Sequence, residues 1–221
     1  MATTASVCVG GSKRYWPGAL CARQIASFLL AAVSCVAQIP GSITVTTLPP
    51  YASGASAMDA GGNLYIGTGG QASWPVTSGA AQAQFGGGSC NGVGPQPCTD
   101  AYLTKVNSTG NTVYATFLGR SGNDSASAVT VDSAGNLYAA GTAGGSFPTT
   151  ANAAIATSTT TFAAKLNKTG SAFLYVTYLP AVLAKVSAIA VDAQGNAYIC
   201  GTTTTNHAIV VAVGADGSAF T

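Results

Sequence analysis

The chain has 221 residues, of which 6% are charged and 48% hydrophobic. So few charges exclude a fold held by surface ion pairs, and so much apolar side chain excludes a disordered polymer. The formal charge of +2 owes three of its eight cations to Lys13, Arg14 and Arg23; beyond them five basic residues face six acids, scattered along the chain, which excludes the clustered cations of a nucleic-acid binder.

The N-terminus reads as an export signal. The basic stretch precedes an apolar run over 25–37, broken by Ser27, Ser34 and Cys35, and Cys35-Val36-Ala37 offers small residues before a cleavage site at Gln38. Residues 1–37 are therefore expected to be a signal peptide. The run is too short for a confident transmembrane helix, which needs about 20 apolar residues, and no span is expected once the signal is removed. A buried or disordered extension and a lipoprotein leader acylated at Cys35 are the alternatives. Residues 38–54 form an N-terminal segment in which 43–48, Ile-Thr-Val-Thr-Thr-Leu, reads as a strand that could close a ring.

One pattern then occurs three times. It runs Met-Asp-Ala-Gly-Gly-Asn-Leu-Tyr from Met58, Val-Asp-Ser-Ala-Gly-Asn-Leu-Tyr from Val131 and Val-Asp-Ala-Gln-Gly-Asn-Ala-Tyr from Val191, each followed within four residues by Gly-Thr. Each copy reads as a β-hairpin. Asp59, Asp132 and Asp192 end one strand and accept N–H groups inside the turn; Gly62, Gly135 and Gly195 supply a positive φ; Asn63, Asn136 and Asn196 lead into the next strand. The rival role for the three aspartates, calcium ligation, fails on number, since calcium wants six to eight oxygens and each turn offers one carboxylate. Aligning the final Gly-Thr pairs requires one extra residue in the second copy.

A second pattern alternates with the first. Ala-Tyr-Leu-Thr-Lys-Val-Asn-Ser-Thr-Gly from Ala101 recurs as Thr-Phe-Ala-Ala-Lys-Leu-Asn-Lys-Thr-Gly from Thr161, and a degraded copy from Ala208 keeps the turn Asp216-Gly217 but has Ala212 where the others have Lys. Asn107 and Asn167 stand in Asn-x-Thr triplets and read as turn residues. Cys90 and Cys98 flank a short loop rich in Gly and Pro and are expected to pair as a disulfide. Cys200 is expected to be a buried, unreactive thiol within a strand. Trp74-Pro75 and Phe147-Pro148, in the long loops, are expected to plug the sheet edge.

One hairpin of each kind makes a four-stranded unit. The expected architecture is all-β: a partial β-propeller of about three four-stranded antiparallel blades over 55–221, with blades at 55–118 and 126–179 and an incomplete one at 186–221. Taken together, Asp132 to Tyr138, Asp100 to Lys105 with Thr116 to Gly119, and Ser146-Phe147-Pro148-Thr149-Thr150 resemble the bacterial SBBP family of β-propeller repeats, related to NHL-type propellers. The resemblance implies a secreted or envelope-associated propeller and brings no catalytic residues with it. Three blades do not close a ring, so further blades in a longer chain are expected.

Little else points to chemistry. The chain has no Glu, and His207 is its only His, a surface or strand-edge residue in this reading. Asp100, Asp124 and Asp216 read as loop residues. No catalytic residue, cofactor or metal is expected. The expected role is a non-enzymatic secreted or cell-envelope module that binds protein or glycan, or serves structurally. The alternative is part of a secreted propeller enzyme, a polysaccharide lyase or hydrolase.

Overall fold

The computed structural model describes residues 54–91 and 95–220, and the regular elements among them are all β-strands. The expected signal peptide and the closing strand at 43–48 lie outside the described residues. In chain order come β1 (Ala55–Met58), β2 (Leu64–Gly70), a small hairpin of β3 (Ser89–Asn91) and β4 (Pro95–Pro97), then β5 (Asp100–Val106) and β6 (Thr112–Leu118). They are followed by β7 (Ser125–Val131), β8 (Leu137–Thr142), β9 (Thr161–Leu166) and β10 (Phe173–Tyr178), then by β11 (Leu183–Val191), β12 (Ala197–Thr203) and β13 (Ala208–Val213).

These make three antiparallel meanders in the orders β1-β2-β5-β6, β7-β8-β9-β10 and β11-β12-β13. A single bridge joins Val213 to Phe220, as Phe173 joins Leu166 in the second sheet. β7 lies against β1 and β2, and β11 lies against β7, β8 and β9, so the three sheets stack with their first strands adjacent. This is a partial β-propeller.

Stacking explains why the strands alternate so weakly in sequence. In β5 and β9 successive side chains point to opposite faces, yet both faces are covered, and all but the lysine are buried in each strand. One core lies between the first two sheets. Tyr65, Leu103, Tyr114 and Leu118 of the first meet Leu137, Ala139, Phe162, Leu166 and Val176 of the second. The next core sets Tyr138, Ala140, Ala163 and Tyr175 of the second sheet against Leu183, Val186, Ala197, Ile199 and Val211 of the third.

The recurring Gly-Thr has a packing cause. The pairing of β7 with β8 slips between Ala126 and Ala128, and that of β11 with β12 slips between Val186 and Ala188. At those bulges a Cβ on Gly141 or Gly201 would fall 1.9 Å from the carbonyl oxygen of Ser125 or Lys185. Only glycine fits so close an approach. In the first sheet the equivalent place is Thr68, which pairs with Tyr102 as Gly141 pairs with Phe162. Gly67 accordingly aligns with Ala140, and the extra residue needed to match the Gly-Thr pairs in sequence has no counterpart in the sheets.

The outer edges are capped by the chain's own long loops. Thr77 and Gln82 bond the backbone of Ala115 and Phe117 in β6; Thr150 and Ile155 bond that of Val176 and Tyr178 in β10. Capping of this kind satisfies strand edges that would otherwise be open to pairing. Trp74 packs edge-on against Tyr102, with ring centroids 5.0 Å apart, and Phe147 lies 4.5 Å from Phe162, so the aromatic-Pro segments sit against the sheets as plugs.

Candidate functional site

The three Asp hairpins have one geometry. Asp59 Oδ1 accepts from the N–H groups of Gly61 and Asn63, while Oδ2 accepts from Asn63 Nδ2 and the Tyr65 hydroxyl, all between 2.8 and 3.0 Å. Asp132 makes the same four bonds to Ala134, Asn136 and Tyr138, as does Asp192 to Gln194, Asn196 and Tyr198. Gly62, Gly135 and Gly195 all have φ between 77° and 87°. Burial raises the carboxyls of Asp59 and Asp132, but the bonds from Asn and Tyr outweigh it and hold both below the ordinary value. With both oxygens occupied, these carboxylates are turn-builders. The tyrosine six residues after each Asp went unnoticed as the fourth donor, though its spacing is constant in the sequence.

Each tyrosine also meets the strand beside it. Lys105 Nζ stands 5.0 Å from the Tyr65 ring centroid and Lys165 Nζ 4.8 Å from that of Tyr138, with Lys165 4.0 Å from Asp132. In the third sheet the residue paired with Tyr198 is Ala212. The first two turns enclose a groove of about 670 Å³ lined by Met58, Asp59, Lys105, Asp132, Gly135 and Lys168, among others. Among the described residues no group of three or more His, Cys, Asp or Glu could hold a metal ion.

The opposite end carries the long loops. Cys90 of β3 and Cys98, which directly follows β4, form a disulfide with their Cα atoms 5.0 Å apart. Asp100 and Asp124 also lie here; Asp124 is in a connection, as expected, whereas Asp100 belongs to a strand. Asp100 opens β5, Asp124 directly precedes β7, and both are fully buried. Asp216 is a turn residue, accepting from Ser218. Asn107 likewise accepts from Thr109 and Asn111 within its turn.

The outward face of the third sheet is open. Tyr198 is 38% exposed where Tyr65 and Tyr138 are 0% exposed, and Val210 is 62% exposed where Leu103 and Ala163 are 0%. The equivalence follows from register, since Val210, Ala163 and Leu103 pair with Cys200, Ala140 and Gly67. Cys200 lies on this face and is an exposed free thiol, not a buried one. Its strand is buried on one side only.

Two stretches, 113–148 and 174–207, match the SBBP family's beta-propeller repeat. Both stretches are similar to the SBBP repeat. Each SBBP match begins in the outer strand of one sheet, β6 or β10, and continues through the first two strands of the next. The SBBP unit of sequence thus straddles the boundary between two sheets, and it contains the Asp hairpins at 132 and 192. No curated protein matches the sequence. Among the described residues no helix is long and apolar enough to cross a membrane, which says nothing of a β-barrel.

Proposed function

We propose that this chain is a non-enzymatic, exported protein-binding module whose binding face is the outward side of the third sheet, and whose partner there is a further propeller sheet. The observation that carries this reading is the exposure of Tyr198, Cys200 and Val210 at positions buried between sheets in the two preceding repeats. A contiguous apolar face marks an interaction surface, and this one continues the interface by which the second sheet receives the third. The disulfide supports export, since such bonds persist in oxidising compartments. The locked carboxylates of the Asp turns favour binding over catalysis.

The test is the reactivity of Cys200. A bulky maleimide should label Cys200 readily in the purified chain and poorly in the envelope or secreted fraction of the producing cell, as read by peptide mass spectrometry. Val210→Asp should restore labelling there. Equal labelling in both preparations would remove the proposed interface. Turnover of a polysaccharide by the purified chain would favour the lyase or hydrolase reading.

A further inference from the structure

Asp100 and Asp124 are both buried against Gly119, and among the described residues no cation balances them. A Cβ on Gly119 would lie 2.5 Å from Asp124 Oδ2 and 2.8 Å from Asp100 Oδ1, so both oxygens face the same glycine backbone. Asp100 Oδ2 accepts from Gly86 N at 2.7 Å and Gln82 Nε2 at 3.2 Å, but Asp100 Oδ1 has no hydrogen-bond partner. Asp124 Oδ1 accepts from Gly144 N at 2.7 Å and Oδ2 from Arg120 N at 3.2 Å. A buried carboxylate oxygen left without a donor costs free energy on the scale of a lost charged hydrogen bond, and two buried like charges cost more.

We infer that Asp100 and Asp124 hold a single proton between Asp100 Oδ1 and Asp124 Oδ2, and that this proton closes a clasp joining the loop ends of the first and second sheets. The proton supplies the missing donor and removes one of the two charges. Four segments meet at the pair: 82–86, the start of β5, the 119–124 connection and Gly144 of the second sheet. Gln82 ties them further, donating to the Gly119 carbonyl at 3.0 Å and accepting from Gly119 N at 3.1 Å.

Among the described residues nothing nearby offers an alternative counter-charge. Residues 71–99 and 143–160 contain no Asp, Glu, Lys, Arg or His. The 119–124 connection contributes Arg120, whose side chain is exposed and whose contact with the pair is through its main-chain N–H. The Cys90–Cys98 disulfide does not titrate. The direction of titration agrees: burial, with the charge of Asp100 adding to it, pushes Asp124 up to about 7, and burial raises Asp100 as well.

A cleft of about 390 Å³ adjoins the clasp, lined by Gln82, Gly86, Gly119 and Arg120 on one side and Pro148 and Thr149 on the other. Loss of the proton leaves two buried carboxylates facing each other beside this cleft. The second interface lacks the device, for Thr160 and Ile155 stand where the first has Asp100 and Gln82.

The sign of the linkage is definite. A carboxyl whose folded value is raised keeps a proton that the unfolded chain has released, so the clasp is strongest in acid and stability falls as pH rises from about 4 to about 7. The decisive variant is Asp100→Asn, which retains an oxygen for Gly86 and Gln82 and places a permanent donor at the orphaned position. Its urea midpoint should exceed that of the wild type at pH 8 and match it at pH 4. Hydrogen exchange of 82–86 and 119–124, corrected for intrinsic rate, should speed up in the wild type between pH 6 and pH 8 but not in the variant. A variant equally destabilised at every pH would overturn the proposal. So would a wild-type midpoint at pH 8 that rises with calcium chloride and falls with EDTA, since a cation would then hold the pair. Asp124→Asn is the second probe, and it too should flatten the pH dependence if the proton is shared.

Discussion

The Tyr138 hydroxyl lies 3.2 Å from the carbonyl oxygen of Gly195, in the turn of the following sheet, and 3.2 Å from Asp132 in the turn of its own. One side chain thus reports to two repeats. Tyr138→Phe keeps the ring in its core and removes the single hydroxyl proton that the Asp132 carboxylate and the buried Gly195 carbonyl share. The expected loss is about 1 kcal/mol, within the usual 0.5–1.5 for such a bond. Tyr198→Phe, at the exposed equivalent, should cost clearly less. Urea unfolding of the two variants side by side checks the difference.

Turn glycines of the second hairpin type also serve as contact points between sheets. Gly170 has φ 73°, and a Cβ there would sit 2.3 Å from the Tyr114 ring of the first sheet; Gly217 has φ 78° and would place one 2.4 Å from Tyr175 of the second. The carbonyls of these two glycines accept from Ala81 N and Ala154 N, each at 2.9 Å. Gly170→Ala therefore meets two penalties, about 1–2 kcal/mol for a left-handed residue with a side chain and about 1–3 kcal/mol for overpacking. Gly79→Ala has a similar φ but open space around it, so it should show the first penalty alone. Thermal melts of both variants separate the two contributions.

The hairpins were legible because local chemistry dictates them. Asp132, Gly135 and Asn136 build their turn from bonds within six residues, and that pattern is visible in any copy. The sheets' mutual burial was legible only in outline, through the run of small residues along β8 and β9. The Asp100–Asp124 pair was not legible. It depends on residues 14 to 20 positions away, Gly86 and Gly144, whose contacts are set by the stacking of two sheets. Cys200 was misplaced for the same reason: a strand pattern does not say which side a neighbour covers. The β3–β4 hairpin was hidden because its strands are short and contain Pro95 and Pro97, which argue against a strand.

The disulfide closes a loop with a sequence separation of 8. Chain-entropy arguments give about 2–3 kcal/mol for so short a loop. Cys98 is buried beside Gly88, 3.3 Å from where a Cβ on that glycine would lie. A Cys90→Ser, Cys98→Ser variant should unfold at lower urea by roughly that amount, with exchange protection falling first in residues 86–99. A loss spread evenly over the three sheets would show that the bond acts through the unfolded chain alone.

Aspartates of the two kinds oppose each other in acid. Asp59 and Asp132 are held low because their turn hydrogen bonds outweigh the effect of burial, whereas Asp124 is raised by burial. A lowered carboxyl stabilises the fold above its unfolded value near 3.8, and that contribution disappears as pH falls through the lower folded value. The raised carboxyl acts in the other direction over the range between 3.8 and about 7. Stability should therefore peak near pH 4–5, fall below it as the turns lose their anions, and fall above it as the buried pair loses its proton. Asp132→Asn should remove part of the acid limb and leave the neutral limb alone, while Asp100→Asn should do the reverse. Urea midpoints between pH 2 and pH 9 for the three proteins check this. A wild-type curve that rises monotonically to pH 8 would show that the turn carboxylates dominate throughout.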